Sequence, residues 1–318
     1  MVEQMKKTAL AIHGGAGTIL KSEMSPEKEV AYTSALQAAL HAGNAILTAG
    51  GTALDAVETA VRSLEDSPLF NAGRGSVFTA KGTHEMDASI MDGRDKSAGA
   101  VSLVSGVRNP VSLARMVMEN TEHVFLAGEG AMEFAGKMEV QMEEEAWFHD
   151  DLRYDQWQEI KDSDSFQLDH SAKKDRKFGT VGAVALDQAG NIAAATSTGG
   201  MTNKKFGRVG DSPMIGAGTF ADNATCAVSC TGSGEFFIRG VAAYDVSCLM
   251  EMKGLSLKAA AHETVHHRLL KINGDGGLIA VDREGNIAMP FNTEGMYRGC
   301  IFPDGKEIIE IYGEGAEA

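Results

Sequence analysis

Gly179-Thr180-Val181-Gly182-Ala183-Val184-Ala185-Leu186-Asp187 is the stretch whose reading decides the fold. A polar, heavily charged segment ends at Gly179, and a clean apolar strand begins at once. A threonine at the first position of a buried strand, directly after a glycine and an exposed linker, is a place where a chain can cut itself. Cleavage between Gly179 and Thr180 would leave one residue carrying both a hydroxyl nucleophile and an α-amine to serve as its base. That amine titrates near 7.7–8.0 in ordinary peptides, which suits general-base work at neutral pH. Glycine before the threonine tolerates the strained peptide that such an attack requires. Taken alone, the same dipeptide also reads as a β-branched residue opening an ordinary strand.

On the N-terminal side, residues 150–177 hold 14 charged side chains in 28 positions. Such a stretch buries little surface, so a mobile linker is expected over about residues 150–179. Before it, residues 8–13 read as a buried strand ending in a glycine turn. Ser25-Pro26 and Thr52 open two helices, with Gly50-Gly51 as the stop between them. Strands are expected near 87–92 and 97–104, and Asn109-Pro110 opens a helix over 110–120. After Thr180, residues 181–187 and 191–197 form a hairpin, and a second hairpin follows near 278–291. Helices over 234–252 and 256–271 lie between them. Hairpins, then helices, then hairpins predict an α+β layered sandwich rather than a doubly wound sheet.

Hydroxyls and glycines recur at predicted strand ends, in Thr196-Ser197-Thr198-Gly199-Gly200 and in Cys230-Thr231-Gly232-Ser233-Gly234-Glu235. The Thr231 hydroxyl and the Gly232 amide together suit an oxyanion hole. Arg208 and Asp211, three apart on a glycine-flanked loop, suit the carboxylate and ammonium of an α-amino acid. The same spacing fits a surface ion pair.

The 318 residues support a substantial core in one large domain or two small ones. A net charge of −15 argues against nucleic-acid or anionic-membrane partners. No secretory segment or membrane-length apolar run is read, and the four cysteines, Cys226, Cys230, Cys248 and Cys300, form no C-x-x-C pair. Buried thiols in a reduced, cytoplasmic protein are expected. No G-x-S-x-G elbow and no Gly-Lys-Ser/Thr phosphate loop occur. None of the nine histidines is read as a metal ligand.

Several segments, in order, resemble the isoaspartyl peptidase/L-asparaginase family of N-terminal nucleophile (Ntn) hydrolases, the plant-type asparaginases, close to its bacterial members. They are Ala11-Ile12-His13-Gly14-Gly15-Ala16-Gly17, Pro68-Leu69-Phe70-Asn71-Ala72-Gly73, the Gly179–Asp187 stretch, Ala195–Met201, Gly207–Pro213, Cys230–Glu235 and Pro290–Met296. The resemblance implies a four-layer αββα sandwich. It implies autocleavage into an α part (1–179) and a β part (180–318), still one structural domain, and a dimer of αβ units. It makes Thr180 the nucleophile, with Thr198 hydrogen-bonding its surroundings and Asn71 nearby. Thr231 and Gly232 become the oxyanion hole, Arg208 and Asp211 the substrate grip, and Gly234 a neighbour of the substrate. Backbone carbonyls of Leu64, Glu65, Ser67, Phe70, Ala72 and Arg74 would hold a structural sodium ion; no cofactor for the chemistry is expected. The activity implied is hydrolysis of β-aspartyl (isoaspartyl) dipeptides and L-asparagine. A glycosylasparaginase-like amidase and a non-enzymatic amino-acid-binding module are the alternatives, and the second predicts an uncut chain.

Overall fold

The computed structural model describes residues 7–162 and 179–313. The chain opens with strand β1 (Ala9–Gly17) and helices α1 (Pro26–Thr48) and α2 (Ala53–Glu65), then β2 (Met86–Asp92) and β3 (Ala98–Val104). Helix α3 (Pro110–Asn120), β4 (Phe125–Ala127) and helices α4 (Gly128–Lys137), α5 (Glu145–Phe148) and α6 (Asp151–Ile160) complete the first part. The second part runs β5 (Val181–Leu186), β6 (Ile192–Thr198), β7 (Thr219–Ala221), β8 (Cys226–Gly232), then α7 (Gly234–Gly240), α8 (Ala242–Lys253) and α9 (Leu257–Glu263). It closes with β9 (Gly276–Asp282), β10 (Ile287–Ala288), β11 (Gly295–Ile301) and β12 (Glu307–Tyr312).

Eight strands form one sheet in the order β12-β11-β1-β5-β6-β2-β3-β4, and four form another in the order β10-β9-β8-β7. The sheets stack face to face, with α1, α2 and α3 on the outside of the larger and α8 and α9 on the outside of the smaller. The result is the expected helix–sheet–sheet–helix sandwich. Strands covered on both faces carry almost unbroken small apolar runs, and β5 and β6 are buried at every residue. Period-2 alternation sorts their side chains. Val181, Ala183, Ala185, Ala193 and Ala195 enter the core under α1–α3, whereas Val184, Leu186, Ile192 and Ala194 enter the layer between the sheets.

The helix signals act as read. Ser25 Oγ accepts from Lys28 N at 3.3 Å, and Thr52 Oγ1 accepts from Asp55 N at 3.1 Å. Leu54, Val57, Val61 and Leu64 form the buried face of α2. The helix expected over 234–252 is instead broken at Val241, which adopts φ 47°. The break lets the first amides of α8 reach other carbonyls: Ala243 N donates to Ala217 O at 3.1 Å and Tyr244 N to Gly216 O at 2.8 Å. Past α9 the helix widens into a π-turn over Thr264–Leu269, where the Val265 carbonyl accepts from Asn292 Nδ2 at 3.0 Å.

The linker reading divides in two. Residues 163–178 lie outside the described residues. Asp151–Ile160 is a helix despite its charge, because its aromatics find partners. Trp157 stacks on Phe78 at 5.6 Å, and the Ile160 carbonyl accepts from Asn203 Nδ2 at 3.1 Å. Cys226 and Cys230 share one face of β8, as expected, and burial pushes the thiols of Cys226 and Cys300 up to about 12. Among the described residues no helix is long and apolar enough to cross a membrane.

Candidate active site

Register sets the nucleophile candidate. β5 and β6 pair antiparallel through Val181↔Ser197 and Gly182↔Thr196, so the position before Val181 faces the one after Ser197. The Thr180 hydroxyl donates to Thr198 Oγ1 at 3.1 Å, and Gly200 N donates to the same oxygen at 3.0 Å. Thr180 is buried, with 8% of its surface accessible. Asn71 stitches two loops together here. Its Oδ1 accepts from Val77 N at 3.0 Å, its Nδ2 donates to Gly200 O at 2.7 Å, and its carbonyl accepts from Gly199 N at 3.0 Å. Gly179 presses on this residue: a Cβ there would sit 2.5 Å from Asn71 Cβ and 2.7 Å from its backbone nitrogen. Only glycine fits ahead of the threonine.

Thr231 and Gly232 come from the end of β8. Ala16 N donates to Thr231 Oγ1 at 3.2 Å. The hydroxyl thus accepts from β1 and keeps its own proton for another acceptor. Gly232 sits at φ +151° with Asp275 O 2.3 Å from any Cβ it might carry, a geometry open to glycine alone.

Arg208, Asp211 and Gly234 converge. A methyl group at Gly234 would lie 2.8 Å from Asp211 Oδ1 and 3.1 Å from Arg208 Nη2. Arg208 also makes a fork to Glu235, Nε to Oε1 at 2.8 Å and Nη2 to Oε2 at 2.9 Å. This pair was missed, although Glu235 directly follows the Thr231–Gly234 motif. Asp211 is buried and its Oδ2 has no hydrogen-bond partner among the described residues. Burial pushes its carboxyl up to about 7; Arg208 opposes the rise, and Glu235 and Asp87 add to it. The arrangement is a buried acceptor lacking a cation, beside a cation already oriented.

Two further buried charges lie behind this subsite. Asp87 pairs with Thr198 across β2 and β6, and Lys204 Nζ donates to Glu85 O at 2.6 Å. Burial raises the Asp87 carboxyl and lowers the Lys204 ammonium. Neither carries a sequence signal beyond its residue type.

The loop with the sodium-type residues packs beside His13-Gly14-Gly15, and a Cβ at Gly14 would meet Phe70 at 2.4 Å. Backbone carbonyls crowd Gly73 and Gly75. Glu65 O lies 2.4 Å from a Cβ placed at Gly73, while Phe70 O and Pro68 O lie 2.1 and 2.6 Å from one at Gly75. Leu64 O accepts from Ser67 N at 3.2 Å and Ala72 O from Gly75 N at 3.2 Å, whereas the Arg74 guanidinium covers the Trp147 ring. The Glu65 side chain, unnoticed in sequence, is buried and accepts from Val111 N at 3.0 Å; burial pushes it up to about 8. The helical spacing His262-Glu263-Thr264-Val265-His266 reads as a zinc motif out of context. It lies on the far helix layer with Glu263 paired to Arg268, and no three potential ligands form a metal-holding group among the described residues.

Residues 6–310 match the sequence model of the asparaginase family. The chain is 52% identical over 313 residues to the isoaspartyl peptidase of Escherichia coli, covering 98% of each chain. It is 52% identical to the isoaspartyl peptidase of Salmonella typhimurium, covering 98% of this chain and all of that one. It is 40% identical to the isoaspartyl peptidase/L-asparaginase of Xenopus laevis, covering 97% of this chain and 96% of that one. The chain belongs to the asparaginase family of hydrolases.

Proposed function

We propose that this chain hydrolyses β-aspartyl (isoaspartyl) dipeptides and L-asparagine, releasing L-aspartate, with Thr180 as an N-terminal nucleophile. Attack of the Thr180 hydroxyl on the Gly179 carbonyl would convert the peptide to an ester and free the Thr180 amine that serves as base, and water would then hydrolyse that ester to give an α part and a β part. The Thr180 Oγ then attacks the side-chain carbonyl of the aspartyl unit, and its amine takes the hydroxyl proton. The Thr231 hydroxyl and the Gly232 amide donate to the oxyanion. Collapse breaks the C–N bond, and the proton passes from the Thr180 amine to the leaving amine. Water then attacks the β-aspartyl ester, with the same amine as base, and frees Thr180. Arg208 receives the substrate's α-carboxylate and Asp211 its α-ammonium.

The observation that carries this reading is the unpartnered Asp211 Oδ2 beside Arg208 at Gly234. A buried carboxylate without a cation is costly, and a ligand ammonium would satisfy it. A zwitterionic aspartyl unit matches both charges. Family membership sets aside the binding-only alternative, and the names of the relatives favour isoaspartyl substrates over glycosylated ones. That two αβ units pair rests on the resemblance alone.

A structural sodium ion held by backbone carbonyls of the Leu64–Arg74 loop belongs to this reading, since hard cations prefer oxygen donors. It would stiffen the loop that carries Asn71 and supply no chemistry. The test of function is L-aspartate release from a β-aspartyl dipeptide and from L-asparagine. Turnover of neither by purified, cleaved enzyme would refute the substrate assignment.

A further inference from the structure

Behind the nucleophile runs a chain of buried polar side chains that the proposed chemistry does not use. His13 Nδ1 lies 3.0 Å from the Thr180 carbonyl oxygen and Nε2 lies 2.9 Å from Ser229 Oγ. Ser229 Oγ lies 2.7 Å from Thr196 Oγ1, and Thr219 Oγ1 donates to Thr196 Oγ1 at 2.5 Å. Ser89 Oγ lies 2.8 Å from Thr219 Oγ1 and 2.6 Å from the Ser212 carbonyl. All of these side chains are fully buried. The chain crosses both sheets, from β1 through β8, β6, β7 and β2, and ends one residue from Asp211.

Its direction follows from its ends. A carbonyl oxygen only accepts, so His13 Nδ1 carries the proton and donates to Thr180. Burial drives the ring to about 3, so it is neutral at working pH and Nε2 is bare. Nε2 must accept from Ser229, Ser229 from Thr196, and Thr196 from Thr219. The Ser89 proton lies between Thr219 and the Ser212 carbonyl. Thr196 Oγ1 also lies 3.4 Å from the Gly218 carbonyl and Thr219 Oγ1 3.4 Å from the Ser212 carbonyl, but the shorter bonds of the chain set the direction. The sequence makes room for this: a Cβ at Gly182 would fall 2.0 Å from Ser229 Oγ and 2.4 Å from His13 Nε2. Any other residue at that position would overwrite the chain.

We propose that His13 is a positioning residue for Thr180, held in one tautomer by the Ser229–Thr196–Thr219–Ser89 hydroxyl chain, which ties the nucleophile's peptide plane to the loop bearing Asp211. The proposal rests on the reading of Thr180 as nucleophile and Asp211 as ammonium site. His13 touches no substrate atom; it fixes the carbonyl one bond from the Thr180 Cα, and so the direction of the amine and hydroxyl. Networks of this kind rigidify when every member is satisfied.

The test is Thr196→Val against Thr196→Ser in the full-length enzyme, with L-asparagine as substrate. Valine keeps the shape and removes the link; serine keeps the link. The expected result is a loss of about tenfold or more in kcat with Thr196→Val, and activity within about twofold of wild type with Thr196→Ser. Thr196→Val at wild-type kcat and KM would overturn the proposal while leaving Thr180 as nucleophile. Loss of turnover with both variants at normal folding would overturn it as well. Should Thr196→Val fail to fold, nitrogen-15 NMR of His13 in the wild-type enzyme decides. A protonated Nδ1, a bare Nε2 and no titration from about pH 5 to 9 are expected. An Nε2-protonated or titrating ring would overturn the proposal, whatever Thr180→Ala shows about the nucleophile.

Discussion

The Thr180 hydroxyl donates to the Thr198 hydroxyl across 3.1 Å, at the point where β5 and β6 begin and end. Thr198 accepts a second bond from Gly200 N, so its oxygen is fixed in place. Thr198→Val removes this acceptor and leaves the Thr180 rotor free. We expect kcat to fall at least tenfold, with Thr198→Ser restoring most of it. Equal activity in the valine variant, measured by L-aspartate release, would remove Thr198 from the account.

The proposed oxyanion pair, Thr231 and Gly232, has a sharper signature. Thr231 retains its proton because Ala16 N satisfies its oxygen. Thr231→Val should lower kcat by roughly 100- to 1,000-fold with little change in KM. A change confined to KM would mean that Thr231 contacts the ground state instead.

Asp211 predicts the acid side of the substrate affinity. Burial, partly offset by Arg208, places its folded-state titration near 7, above the ordinary carboxylate range. It must be ionised to hold an ammonium, so KM for L-asparagine should rise as pH falls below about 7. Asp211→Asn should raise KM and flatten that dependence. Stability runs the other way. A carboxyl raised on folding contributes stability below its unfolded value, near 3.9, that is lost as pH rises through about 7. The unliganded Asn variant should therefore gain on wild type in thermal midpoint from pH 4 to pH 8. A constant difference across that range would contradict the assignment.

Glu235 holds Arg208 through two hydrogen bonds. Glu235→Gln keeps the shape and weakens the fork, so KM should rise severalfold while kcat changes little. An unchanged KM would show that the fork to Glu235 does not orient Arg208 for the substrate.

Gly179 abuts Asn71 with no space for a methyl group. Gly179→Ala should slow chain cleavage by at least tenfold without affecting β5, as followed by the rate of fragment appearance on a denaturing gel. Cleavage at the wild-type rate would show that the peptide's fit against Asn71 is irrelevant.

The α+β layering was legible because its signals are local. Ser25-Pro26, Thr52 and Asn109-Pro110 open helices, and short unbroken apolar runs such as Val181–Leu186 mark strands. The helix break at Val241 was hidden, because carbonyls from Gly216 and Ala217 impose it from a distant loop. Helix α6 was hidden for a similar reason. Charge density describes its solvated face, and nothing near Trp157 in sequence announces the ring of Phe78. At the site, Thr180, Thr198, Thr231 and Gly232 stand at strand ends, where hydroxyl and glycine clusters are conspicuous. Asp87 and Lys204 are ordinary charged residues until the fold buries them, and Glu235 is one until the fold brings it to Arg208. His13 was seen for its glycines, and its ring became meaningful only once Ser229, 216 residues away in the chain, lay against it.

The most direct measurement is intact mass with N-terminal sequencing of the purified, denatured protein, wild type beside Thr180→Ala. The account predicts two wild-type fragments, one beginning Thr180-Val181-Gly182, and a single uncut, inactive chain for the variant. A wild-type chain that stays whole while active, or a Thr180→Ala chain that is cut and turns over substrate, would contradict it.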